Sequence, residues 1–104
     1  MLKQNEIYSF KLISGEELIA KVLSDPSSEL YKNGEVHIAQ PVSIADTAQG
    51  VTLVPSLFTS GLDGDFTLNI NTVSVYALAS DKIQAKYIEA TTGIKVLDKQ
   101  IILG

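Results

Sequence analysis

Apolar residues occupy alternate positions at the start of this chain. Tyr8, Phe10 and Leu12 are separated by Ser9 and Lys11, and Leu18, Ala20 and Val22 by Ile19 and Lys21. A period of two places alternate side chains on one face of an extended strand. Ser14-Gly15-Glu16 lies between the two runs and reads as a turn. The pattern predicts strands over Glu6 to Ile13 and Glu17 to Leu23, joined as a hairpin. A polar stretch from Ser24 to Gly34, rich in turn formers, follows.

A third strand is expected from Val36 to Ala45, with Val36, Ile38, Val42 and Ile44 as its apolar positions. Ala48-Gln49-Gly50 supplies the next turn, and Val51 to Leu57 a fourth strand. Pro41 and Pro55 interrupt these two strands. Proline has no N–H for the ladder, so each belongs at an edge, a bend or a bulge. Asp63-Gly64-Asp65 reads as part of a loop rather than a calcium site, because Phe66-Thr67-Leu68 continues as a strand and supplies no further oxygen ligands. Val73 to Ala79 is apolar on both faces, which predicts burial on both, under a helix or another subunit.

The period then changes. Ser80 suits a helix N-cap, Asp81 the first turn, and Gly93 a C-terminal cap. Ile83, Tyr87 and Ala90 recur at helical spacing and are expected to dock the helix on the strands. The helix is placed at about 81–92. A tail over 95–104, with Ile101-Ile102-Leu103, is expected to pair or dock. The whole is read as one domain, 1–104, in which the strands span about 6–79.

Composition narrows the function. Hydrophobic residues make up 45% of the chain, too many for a disordered segment. No apolar run approaches the length of a membrane span, and Met1-Leu2-Lys3-Gln4-Asn5-Glu6 lacks the apolar core of a signal peptide. No membrane partner is expected, and the location is read as cytoplasmic. Without cysteine there is no disulfide framework and no thiolate metal site. His37 is the only histidine, so no metal, cofactor or catalytic group is assigned, and no enzyme is read. The net charge is −4, and all eight basic residues are lysines. Tight non-specific nucleic-acid binding needs phosphate neutralisation, which this balance opposes in bulk. Lysines gathered on one face remain able to form a local site.

The order of these pieces resembles the Sm-like fold. The matching segments are the opening hairpin with Leu12-Ile13-Ser14-Gly15-Glu16-Glu17-Leu18-Ile19-Ala20, then Gln40-Pro41-Val42, Leu53-Val54-Pro55, Asp65-Phe66-Thr67-Leu68-Asn69 and the helix after Ser80. They span about positions 8 to 94. The chain is similar in particular to small Sm-like proteins of cyanophages and marine metagenomes. The resemblance implies a small, strongly bent five-stranded barrel of the SH3-like kind, with a C-terminal helix and a docked tail. It implies a homo-oligomeric ring of about five to seven subunits joined strand to strand. It also implies single-stranded RNA or DNA as ligand near the pore, and, for a phage protein, the cytoplasm of an infected bacterial host.

In that family two loops carry the nucleic-acid site. In one, Asn71 and Thr72 stand where many members have an Arg-Gly pair. Asn69, Asn71 and Thr72 offer amides and a hydroxyl suited to the edges of unstacked bases. They equally suit the capping of a turn. Tyr31, Lys32, Asn33 and His37 form the other candidate group, with Tyr31 to stack a base and Lys32 to meet a phosphate. A solvated hairpin tip is the plainer reading of the same residues. The expected function is a non-catalytic, nucleic-acid-binding ring. The alternative is a ring-forming adaptor that binds other proteins.

Overall fold

A computed structural model describes residues 2–25, 33–57, 60 and 63–92 of the chain. Its strands are β1 (Ile7–Leu12), β2 (Glu17–Val22), β3 (Glu35–Thr47), β4 (Gly50–Pro55), β5 (Phe66–Asn69) and β6 (Val73–Leu78). A 3-10 turn, Ile70–Thr72, precedes β6, and one helix, α1 (Asp81–Thr92), follows it. All pairings are antiparallel, in the order β4-β3-β2-β1-β6, with β5 also on β3. The described residues thus make six strands rather than five. The reason is the segment after Pro55: β4 takes the C-terminal half of β3 and β5 the N-terminal half, along the same edge.

The opening hairpin follows the alternation. Gly15, at φ 95°, takes the left-handed conformation that the turn requires. Tyr8, Phe10, Leu18, Ala20 and Val22 point into one core with Val36, Ile38, Phe66 and Leu68. Leu2 closes this core from the N-terminus and is fully buried. The preceding turn is held by the Lys3 N–H, which donates to the Tyr8 hydroxyl at 2.8 Å.

A second core lies on the opposite face of β1 and β2. It gathers Ile7, Ile19, Val42, Ala79 and Tyr87, with Leu53 and Ile83 against them. The two cores are linked by a bulge. Between the pairs Ile19↔Val42 and Lys21↔Ala39, the single residue Ala20 faces two, Gln40 and Pro41. The extra residue shifts the period of β3 by one. Val36 and Ile38 therefore face the first core, and Val42 faces the second. Pro41, which has no N–H to lose, sits in this bulge, and Pro55 ends an edge strand. Gln40 carries the strain of a φ of 49°.

The helix docks over the bulge. Ser80 caps it as expected, its hydroxyl accepting from the Ile83 N–H at 3.3 Å. Tyr87 is buried, and its hydroxyl donates to the Ala39 carbonyl at 2.6 Å and accepts from the Lys21 N–H at 3.3 Å. These are backbone groups flanking the bulge, so one phenol satisfies both. Burial pushes the hydroxyl up from 10.0 to about 12, and the Lys21 N–H pulls it slightly back. The expected docking set is corrected in one member. Ala90 is exposed, whereas Thr91 is half-buried, with its carbonyl accepting from the Gln40 side chain at 3.3 Å. The face that meets the sheet runs at four-residue steps, Ile83, Tyr87 and Thr91, and Ala90 rotates past it.

Within one subunit β6 is not buried under the helix. Val75 is 59% exposed and Leu78 53%, and Ser74, Tyr76 and Ala77 are exposed as well. The strand pairs only with β1 among the described residues, and α1 lies over β1, β2, β3 and β4 instead. The expected Gly93 cap and the tail 95–104 lie outside the described residues. No helix among the described residues is long and apolar enough to cross a membrane.

Candidate nucleic-acid interface

Three segments meet at one end of the sheet. Gly34 begins the approach to β3, and its carbonyl accepts from the Ile70 N–H at 2.8 Å. Its φ of 85° and the space above it both call for glycine. A Cβ there would lie 3.3 Å from the Asn71 side-chain nitrogen. The 3-10 turn is tied in turn to the β1–β2 hairpin, where the Ile13 N–H donates to the Thr72 carbonyl at 2.7 Å. Gly34, the Ile70–Thr72 turn and Ile13 are thus brought together from three separate stretches of sequence.

The polar side chains of the turn divide into two kinds. Asn69 is its N-cap, with its Oδ1 accepting from the Asn71 N–H at 3.0 Å. The Thr72 hydroxyl donates to the Asn69 carbonyl at 2.7 Å. Both groups therefore hold the turn. Asn71 is exposed, and among the described residues no hydrogen bond engages its side chain. Its amide is the group best placed to meet a ligand.

His37 lies on the same outward face, one step further along. β3 and β5 pair Glu35 with Asn69 and His37 with Thr67, and all four side chains are exposed. Val36, Ile38, Phe66 and Leu68 take the inward face of the same ladder. The His37 backbone is committed: its N–H donates to the Ser24 hydroxyl at 2.7 Å, and its carbonyl accepts from the Leu23 N–H at 2.8 Å. Its side chain borders a cavity of about 300 Å³ whose wall includes Asp63 and Asp65. Tyr31 and Lys32 lie outside the described residues.

The charge around this end is mixed. Glu35 stands between Asn33 and His37, and the two aspartates flank His37 on the other side. Such carboxylates repel phosphate, so a polyanion held here needs cations and neutral donors to offset them. Among the described residues no three metal-binding side chains come together. Sequence reasoning missed two members of the cluster. In the sequence Gly34 reads only as part of a polar connection, although a glycine just before a strand signals a close backbone approach. Ile13, 71% exposed beside Thr72, carries no sequence signal that separates it from the buried apolar residues around it. No protein-family model matches the chain, and no curated protein is similar to it.

Proposed function

We propose that this protein is an Sm-like barrel that assembles into a homo-oligomeric ring and binds single-stranded nucleic acid without catalysis. The observation that carries the reading is the meeting of Gly34, which follows Asn33, with the Asn69–Thr72 turn. These belong to the two loops that the resemblance assigns to the ligand. The strand order supports the barrel. The last strand returns to β1, a 3-10 turn precedes it, and β3 is bent at a bulge so that β4 and β5 share its edge. Assembly would pair the outer edge of β6 with the outer edge of β4 in the next copy. Both strands are six residues long, and both carry exposed valines. Such a head-to-tail contact closes into a ring when the rotation fits. Symmetry then repeats each weak contact of Asn71, Asn33 and Lys32 around the pore, which offsets the absence of arginine.

The second reading, an adaptor ring that binds proteins, draws on the net charge of −4 and on Glu35, Asp63 and Asp65 beside the site. One experiment separates the two. The purified oligomer is titrated with labelled single-stranded RNA and DNA homopolymers at several salt concentrations. Saturable binding that weakens with salt is expected. No binding at low salt would leave the adaptor reading.

A further inference from the structure

A groove runs between the tip of the β3–β4 hairpin and the N-terminal half of α1. It holds about 430 Å³, within the range of small-molecule sites, roughly 300–1,000 Å³. All its lining residues belong to the described part of the chain. Its two walls differ in chemistry. Ile44 and Val51 come from the hairpin and are 39% and 46% exposed, and Ile83, half-buried on the second core, joins them. Lys82 and Lys86 form the helix wall. They are four residues apart, so both leave the helix on one face. Lys86 is half-buried, and among the described residues neither lysine is held in an ion pair. Like charges at this spacing repel, and an ammonium drawn partly out of water is costly while it lacks a counter-ion. An anion seated between the two would relieve both.

The surrounding carboxylates set an orientation. Asp46 stands opposite Val51 across the hairpin, on the same face of the sheet as Ile44. Asp81 precedes Lys82, and Glu89 lies beyond Lys86. None of the three lines the groove. An anionic head is therefore favoured at the lysines and repelled from the hairpin, where an apolar body fits. A peptide or nucleic-acid strand carries polar groups along its whole length, and these need partners on both walls. The hairpin wall offers two aliphatic side chains and, for polar contact, Gln49 and the Gly50 backbone. A ligand charged at one end only has no such need. We infer that the groove binds an unbranched aliphatic carboxylate, with its head between Lys82 and Lys86 and its chain on Ile44, Val51 and Ile83. The site shares no lining residue with the polar end around Asn71, and it stands whether or not the protein binds nucleic acid.

The test titrates decanoate, kept below its micelle concentration, into the full-length protein while methyl resonances are followed by NMR. The methyls of Ile44, Val51 and Ile83 should shift together and saturate near about a millimolar, in keeping with a ligand of this size. Those of Leu68, in the first core, should stay in place. Decanol has the same chain without the charge and should bind about tenfold more weakly or worse. Lys82→Gln combined with Lys86→Gln should weaken decanoate by a similar factor and leave decanol unchanged, with the Leu68 methyls reporting that the fold is kept. Equal binding of decanol and decanoate would overturn the inference, as would a double variant that binds like the parent or shifts that never saturate. Stronger shifts of the same methyls by an oligothymidylate or an acidic peptide would overturn it too, by assigning the groove to a polymer. Shifts that follow protein concentration without any ligand would assign it to a second copy instead.

Discussion

The bulge under the helix and the edge at β6 are both rich in apolar residues, yet they are finished differently. At the bulge every element has a cover. Ile7, Ile19 and Val42 lie beneath Tyr87, and the Tyr87 hydroxyl takes up the Ala39 carbonyl and the Lys21 N–H. At β6, Val75 and Leu78 are more than half exposed, and the outer backbone edge pairs with nothing among the described residues. A finished region contributes to the stability of one chain. An unfinished apolar edge is a template for another strand. Changes at the first should therefore alter folding, and changes at the second should alter association.

The largest expected effect is at the bulge. Tyr87→Ala removes a buried ring and should cost about 3–5 kcal/mol, read as a lower midpoint in urea. An unchanged midpoint would remove the helix from the account of stability.

Alkali sharpens the same point. The folded Tyr87 hydroxyl titrates at about 12 against 10.0 when unfolded, so folding favours its protonated form. That contribution is complete below pH 10.0 and is lost as pH rises through about 12. Two units correspond to about 3 kcal/mol. Tyr87→Phe leaves the two backbone groups without their partner and should cost about 1–3 kcal/mol near neutral pH. Between pH 10 and 12 the gap between parent and variant should narrow. A gap that stays constant in urea titrations across that range would mean that the hydroxyl is not held as described.

At the edge the expectation reverses. Val75→Lys places a charge on the open strand, where it opposes pairing with a second copy. The folded subunit should change by less than about 0.5 kcal/mol, while the assembly falls apart in sedimentation. Lower subunit stability with unchanged assembly would exchange the roles of the two regions. The smallest effect belongs to the polar end. Asn71→Ala should weaken nucleic-acid binding several-fold, about 1 kcal/mol, without altering its salt dependence, because a neutral amide releases no counterion. Lys32→Ala should instead lower the salt dependence.

Much of this division was legible in the sequence, for physical reasons. The hairpin of Tyr8, Phe10, Leu18 and Ala20 and the helix after Ser80 follow from period and capping, which are local. Pro41 marked an irregularity, an edge, a bend or a bulge, since a strand cannot use its missing N–H, and the structure makes it a bulge. The positive φ of Gln40 had no local signal, because the strain is sustained by Tyr87 and Thr91, far away in sequence. Ala90 was misplaced because three-residue and four-residue steps both fit a short helix. The exposure of β6 within one subunit was left open between a helix and another subunit, because an apolar strand reads the same whether its cover is its own chain or another. At the candidate site, Asn69, Asn71 and Thr72 were legible as a group. The difference between Asn69, spent on the turn, and Asn71, left facing outward, needed the hydrogen bonds to appear.

The central claim is that the β6 edge is completed by a second copy. Native mass spectrometry of the full chain, checked by light scattering at micromolar concentration, tests it most directly. The account predicts a single closed species of about five to seven subunits, which Val75→Lys converts to one subunit. A parent protein with the mass of one subunit would contradict it.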